Sequence, residues 1–345
     1  MALPLIFASA ALPETGAAGR GADYIRTTQL PDGGFGGFGA GQSMDAVFAV
    51  RAAGVDPNSL LKDGKSPADF LKANAAAATK PAEAAKAALA ARALGIDPRS
   101  VAGTDLIAKI NAGYAAATGL YAADDFSQSI VLIGLACTGN SVPSSAILAL
   151  RKTQIDDGGW GFQGASDPDT TGIGLQALVA AGAPKSDAAV AKAVAYLKST
   201  QGKDGGWGFD PNESNASSTA FAVQGLLAAG ENVETAAYTK TGVNPVAYLI
   251  SQQNPDGSFK GFDPAFATNQ VVPALAGRTF CDASATAIRP AGPAAAVTPA
   301  RPRAPLPPNT GSGRERDRSA LFVIGATVLL VTAAGSATLA ARKSR

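Results

Sequence analysis

Apolar residues recur at helical spacing in paired blocks along residues 23–281, separated by Gly- and Pro-rich breaks. In the first block Met44, Ala46, Val47, Phe48 and Val50 follow Ser43, a residue type suited to an N-cap, and Gly54 marks the stop. Comparable periodicity covers 68–74 and 83–94, then 126–137, 171–181, 218–229 and 269–277. Each of these is the second helix of a pair, apart from 68–74, which is a first. The expected fold is all-α, built from helical hairpins.

The breaks share a pattern. Tyr24-Ile25 leads through Gln29 to Asp32-Gly33-Gly34-Phe35, and Ala149-Leu150 through Gln154 to Asp157-Gly158-Gly159-Trp160. Tyr196-Leu197 leads through Gln201 to Asp204-Gly205-Gly206-Trp207, and Tyr248-Leu249 through Gln253 to Asp256-Gly257-Ser258-Phe259. A helix end, an Asp-Gly turn whose Asp bonds its own backbone, and a returning aromatic make one unit. The Gln amide is expected to lie against an aromatic ring. The turn is lost in the second unit (about 68–104), and Gly119-Leu120-Tyr121 replaces it in the third (about 105–142). Units of about 42–52 residues give six in all, and a repeat unable to bury its own apolar face must close on its neighbours.

This spacing resembles the QW motif of the prenyltransferase and squalene-cyclase repeat superfamily, whose members build α/α toroids and include class II terpene cyclases, prenyltransferase β subunits, cobalamin carriers and complement thioester domains. The resemblance implies a ring of six helical hairpins, about twelve helices, with second helices inside. It covers 23–281. The fold hosts unrelated activities, so it does not itself give the function.

Outside the repeats the composition changes. Residues 1–22 hold a short apolar run ending Ala8-Ser9-Ala10, like the tail of a secretory signal without its charged start. The pentapeptide Leu12-Pro13-Glu14-Thr15-Gly16 matches a sortase motif, but no apolar span follows it. Residues 282–318 form a Pro- and Ala-rich linker. Residues 319–341 are apolar for long enough to be a transmembrane helix, and Arg342-Lys343-Ser344-Arg345 ends the chain. Leu306-Pro307-Pro308-Asn309-Thr310-Gly311 just upstream resembles a Gram-positive cell-wall sorting signal with one extra Pro, which would make Thr310-Gly311 the sorting site. The toroid is therefore expected outside the cell, held to wall or membrane by its C-terminus. Ala, Gly and Arg richness suits an actinobacterial source.

The 345 residues carry a formal net charge of +2, which gives no reason to expect nucleic acid. There is no histidine, so the commonest general base and metal ligand are missing. A prenyltransferase-type Asp, Cys, His zinc site cannot be built, and no metal is expected. The two cysteines, Cys137 and Cys281, fall in the third and sixth units, roughly opposite in a six-unit ring; Cys137 is expected as a buried small hydrophobe rather than a disulfide partner. Neither lies in the Cys-Gly-Glu-Gln of the thioester relatives.

Asp167-Pro168-Asp169-Thr170-Thr171 resembles the class II cyclase Asp-x-Asp-Asp-Thr motif, where clustered carboxyls keep one acid protonated. The resemblance makes Asp169 the acid and Asp167 its partner, with Thr170 in place of the last Asp. Ser43, Ser218 and Thr268 at corresponding positions point instead to helix capping. The family's cyclases generally use two helical domains and an aromatic-lined cavity, against 6% aromatic residues here. The balance favours a surface-anchored, non-catalytic toroid that binds a ligand or an envelope partner, with cobalamin a possible ligand. The alternative is a terpene cyclase or prenyltransferase-like enzyme acting through Asp169. Candidate ligand-binding residues are Asp124, Asp125, Gln128, Thr170, Asn215, Asn269 and Gln270, at second-helix starts and turns.

Overall fold

The computed structural model describes residues 16–210 and 212–285; the N-terminal apolar run, the linker, Thr310-Gly311 and the apolar run 319–341 lie outside them. Among the described residues no helix is long and apolar enough to cross a membrane.

The expected all-α toroid is what forms. Six outer helices, α1 (Ala17–Thr27), α3 (Pro67–Asn74), α5 (Leu106–Ala112), α7 (Ser144–Lys152), α9 (Ala188–Thr200) and α11 (Pro245–Ser251), alternate with six inner ones. The inner helices are α2 (Ala40–Ala52), α4 (Pro81–Ala93), α6 (Asp125–Cys137), α8 (Pro168–Ala180), α10 (Ala216–Ala228) and α12 (Pro264–Leu275). Each inner helix touches the next, and α12 touches α2, which closes the ring. Outer helices bury one stripe, such as Gly21, Ala22 and Ile25 of α1. Inner helices are buried almost all round, as the alanines of α4 show. Small residues permit the close approach: a Cβ on Gly225 would stand 2.6 Å from the Gly172 carbonyl oxygen, so α8 and α10 meet backbone to backbone.

The repeat turn is the joint between units. Its glycine has positive φ in all four copies, +88° at Gly33, +95° at Gly158, +89° at Gly205 and +91° at Gly257. Each motif Asp accepts from the amide two residues on, as expected. The glutamine does not lie on an aromatic ring. Its Nε2 donates to two carbonyls: that of its own turn glycine, and one at or just before the next outer helix. Gln154 bonds Gly158 and Ala189, Gln201 bonds Gly205 and Tyr238, and Gln29 reaches Leu60. Gln253 reaches Ala17 at 2.8 Å, joining the sixth unit to the first. The Trp160 and Trp207 indoles donate to Leu150 and Leu197 at the end of their own outer helix. Where the motif is lost, other residues supply donors. Gln128 of α6 bonds Gly119 and Ala146, and Lys109 bonds Ala76 and Ala78.

The inner helices begin earlier than the apolar periodicity suggests, because their first turns are polar or Pro-led. Ser43, Ser218 and Thr268 are consequently not N-caps; Gly39, Asn215 and Asp263 hold those places. Ser43, Thr171, Thr219 and Thr268 are the equivalent set. Each hydroxyl accepts from the backbone N–H of its motif aromatic, Phe35, Trp160, Trp207 and Phe259. One feature outside the all-α expectation is the short antiparallel hairpin of β1 (Trp160–Phe162) and β2 (Ala165–Asp167), which leads into α8.

The cysteines pair, contrary to expectation: Cys137 and Cys281 form a disulfide with Cα atoms 5.3 Å apart. The sixth unit ends at Leu275, and the chain turns at Gly277 into α13 (Phe280–Ala283), which enters the C-terminal end of the inner barrel. There the Phe280 ring meets Phe48 edge-on, its N–H donates to Gln176, and Arg92 donates to the Cys281 carbonyl. Cys281 thus stands inside the ring beside the end of α6, not across it.

Two outcomes follow. Gln201→Leu leaves two buried carbonyls without a donor and is expected to cost about 2–3 kcal/mol in urea denaturation, with the fold retained. The disulfide spans 144 residues; Cys137→Ala is expected to lower stability by about 4 kcal/mol, and adding Cys281→Ala to cost little more.

Candidate functional site

All six inner helices start at one end of the barrel, and the acidic residues singled out from the sequence gather there on α6 and α8. The β1–β2 hairpin delivers Asp167 to the N-cap of α8, where Oδ1 accepts from Thr170 N at 2.7 Å and Oδ2 from the Thr170 hydroxyl at 2.9 Å. These bonds favour the charged form of Asp167, while burial is the larger effect and raises its pKa. Asp169, in the first turn of α8, is partly exposed, yet its Oδ1 is fully enclosed and has no hydrogen-bond partner. Burial, then the Asp167 charge, push its pKa up to about 7 against an opposing bond from Ser218. The geometry thus separates two neighbouring carboxyls: one capped by donors that favour its charged form, one without a partner on its enclosed oxygen and able to stay protonated near neutrality.

Asp125 stands close enough to act on Asp167 electrostatically. Burial raises its pKa, although Thr153 donates to it at 2.6 Å. Asp124 is the N-cap of α6, accepting from Ser127. Over this end of the barrel Phe126 meets Phe221 edge-on at 5.6 Å, bridging from α6 to α10 across α8. Asp169 therefore shares its end of the barrel with the acidic Asp125 and Asp167 and with this aromatic pair.

The remaining candidates divide. Thr170 is spent on Asp167. Asn215 caps α10 through Ser218 N. Gln128 is buried and fully committed to four backbone groups, which corrects its reading as a ligand residue. Asn269 and Gln270 lie deeper, in the lumen and apart from the acidic group. They line a cavity of about 10 Å³, room for about one water, together with Asp45, Phe48, Gln224, Pro273 and the Phe280 and Ala283 of α13. Sequence reasoning passed over Asp45. It is buried, paired with Lys86 at 3.0 Å, and its pKa is raised by burial despite that pairing. The available signal was one acid and one lysine, each alone in an apolar helical run. Oδ1 of Asp45, Oε1 of Gln224 and Oδ1 of Asn269 have no partner, so the lumen is polar where α13 stops short. Among the described residues no group of three or more His, Cys, Asp or Glu side chains could hold a metal ion.

Comparison with known proteins agrees with the fold. Residues 129–270 match the squalene-hopene cyclase C-terminal domain, a stretch from α6 to α12 that includes Asp167 and Asp169. No curated protein matches the sequence. Among solved structures, the apo type II terpene cyclase MstE from Scytonema superposes with TM-score 0.57 at 17% identity, covering 75% of this chain and 96% of that one. A variant of the same cyclase in complex with geranylgeranyl dihydroxybenzoate, its substrate, gives TM-score 0.58 at 15% identity over 76% and 96%. A protein from Actinoplanes gives 0.55 at 15% over 76% and 98%. At these identities the likeness is one of fold. The chain is a terpenoid cyclase-like α/α toroid.

Proposed function

We propose that this toroid is an acid catalyst of the terpene cyclase kind, acting on a polyprenyl substrate through Asp169. The observation that carries the reading is the Asp169 carboxyl, raised to about 7, with an enclosed and unpartnered oxygen beside an ionisable Asp167. A carboxylic acid that keeps its proton near neutrality can give it to an alkene. The new C–H bond leaves a carbocation, the next double bond closes on it, and loss of a proton yields an isomer of the substrate. Phe126 and Phe221, paired at the same end of the barrel, are of the residue type that suits a developing cation. The expectation that such chemistry needs two helical domains weakens, since a toroid of this extent covers nearly all of the MstE chain.

A second reading, a non-catalytic toroid that binds a ligand such as cobalamin or an envelope partner, is favoured by two observations. Thr170 stands where the cyclase motif has its last Asp, and α13 fills the lumen to within about one water of closure. Under either reading we infer an extracytoplasmic protein tethered by its C-terminus. The Cys137–Cys281 disulfide supports an oxidising compartment, and the apolar run 319–341 supports the tether.

Incubation of the full chain with geranylgeranyl and squalene-type polyprenes should yield products of unchanged mass and new retention, lost by a factor of about 10²–10⁴ in Asp169→Asn. Retention of an unaltered compound, with no turnover by either protein, would move the assignment to binding. The pH dependence has a definite sign. A carboxyl raised in the folded state adds stability at low pH and loses it as pH rises from the unfolded value of about 4 towards 7. Asp169→Asn should therefore be more stable than the parent at pH 8 and lose that advantage at pH 4, read from urea midpoints. Turnover by the parent should fall through pH 7.

A further inference from the structure

Four exposed phenylalanines repeat at one place in the unit. Phe38, Phe162, Phe209 and Phe262 follow the motif aromatics Phe35, Trp160, Trp207 and Phe259 by two or three residues. The first set is 42%, 47%, 53% and 87% exposed, whereas the motif aromatics are exposed by no more than 3%. The motif aromatic is the one that staples the unit, and the second phenylalanine leaves about half or more of its surface in solvent. All four lie in the loops leading to the N-termini of α2, α8, α10 and α12. Those belong to the first, fourth, fifth and sixth units, which are consecutive around the ring because α12 touches α2. The phenylalanines therefore form one arc on the rim of the barrel end that holds Asp169. Phe38 and Phe262 stack at 6.1 Å across the ring closure.

The arc is built rather than incidental. A glycine precedes each phenylalanine and packs closely, Gly161 and Gly208 against the backbone of the returning loop and Gly37 and Gly261 against side chains of the following inner helix. A Cβ on Gly37 would come within 2.1 Å of Gln42, on Gly161 within 1.9 Å of Ala165 O, on Gly208 within 2.1 Å of Glu213 O, and on Gly261 within 2.8 Å of Ala267 Cβ. The glycine side of each loop faces the fold, and the ring beside it is held out to solvent. The second and third units lack both the motif and such a phenylalanine. Scattered exposed apolar residues are ordinary, but four rings at equivalent positions on one rim mark an interaction surface.

We propose that this rim docks on a lipid bilayer, with the four phenylalanines entering the interfacial region. The occupant follows from the chain beyond the described residues. About 33 residues separate Ala285, at the barrel end opposite the rim, from the apolar run at 319, so Ala285 reaches no more than on the order of 110 Å from that run and the rim only about 20 Å more, the length of a 13-residue inner helix. Such tethering turns a weak interfacial contact into an intramolecular one. The tips Gly36–Gly41 and Gly161–Ser166 carry no charge, and the other two loops hold one lysine against three acids. Docking is accordingly apolar, needs no anionic lipid and is little affected by salt. The inference rests on reading 319–341 as a bilayer anchor and makes no use of Asp169.

The test uses the full chain reconstituted in phosphatidylcholine vesicles, with p-benzoylphenylalanine replacing Phe209, Phe262 or, on the opposite end of the barrel, the exposed Ser141. The rim positions should give lipid photo-adducts at least about fivefold above Ser141, unchanged by 0.5 M salt and by Asp169→Asn. With the probe at 209, adding Phe38→Ser, Phe162→Ser and Phe262→Ser should reduce the adduct to the Ser141 level while the melting temperature and the carbonate-resistant membrane association hold. Equal yields at all three positions, failure of the chain to remain in the vesicles, or adducts between copies of the chain in place of lipid adducts would each overturn the proposal. An outcome with lipid adducts but no polyprene turnover would leave the rim established and remove only the Asp169 chemistry.

Discussion

The whole ring depends on one kind of contact: a side-chain amide or ammonium that donates to two backbone carbonyls at the joint between neighbouring units. No hairpin can bury its own apolar face, and outer helices as short as seven residues, such as α5 and α11, have little stability alone. The glutamine bridges fix the angle between one unit and the next. A small constant angle repeated six times must return to its start, and the bond from Gln253 to Ala17 is where it does. Arg20 bonds the same glutamine, so the closing joint is reinforced from the first helix. That Gln128 and Lys109 supply equivalent bonds from other elements shows that the ring requires the donor at each joint, whichever residue provides it.

Closure creates a lumen, and the lumen has to be filled. The inner helices are too rich in alanine to fill it with their own side chains. Phe280 and its helix do so from the C-terminal end, held by the disulfide to Cys137 and by Arg51 and Arg92. The opposite end is left to Asp169, Phe126 and Phe221. The barrel therefore has one end filled by α13 and one that gathers the acidic residues, and polar atoms of Asp45, Gln224 and Asn269 are stranded between them.

At the acidic end electrostatics follows from helix geometry. Asp167 gains two donors and a helix N-terminus, which suit a charged carboxylate. Asp169 lies two residues on, against a neighbouring helix, and receives the desolvation and repulsion that remain. Nothing about the two side chains differs except where the backbone puts them. The same short hairpin that positions Asp167 also holds Phe162 outward, so the acid and one part of the apolar rim share a support.

Local chemistry was legible in the sequence wherever a residue's role is decided within its own unit. The Asp-Gly turns, the helical hairpins and the six-unit count follow from spacing and residue type. Roles decided by neighbours distant in the chain were not legible. Gln128 reads as a polar helix-start residue, but the lost turn of its own unit consumes it. Ser43 reads as a cap, but the helix starts earlier and its hydroxyl holds Phe35. Cys137 reads as a small hydrophobe because nothing in a six-fold count says that the chain after Leu275 enters the ring. Phe162 and Phe209 follow Trp160 and Trp207 by two residues, and only burial separates them. Sequence sets which contacts each unit can offer; only closure of the ring decides which of them find a partner and which are left facing the lumen or the solvent.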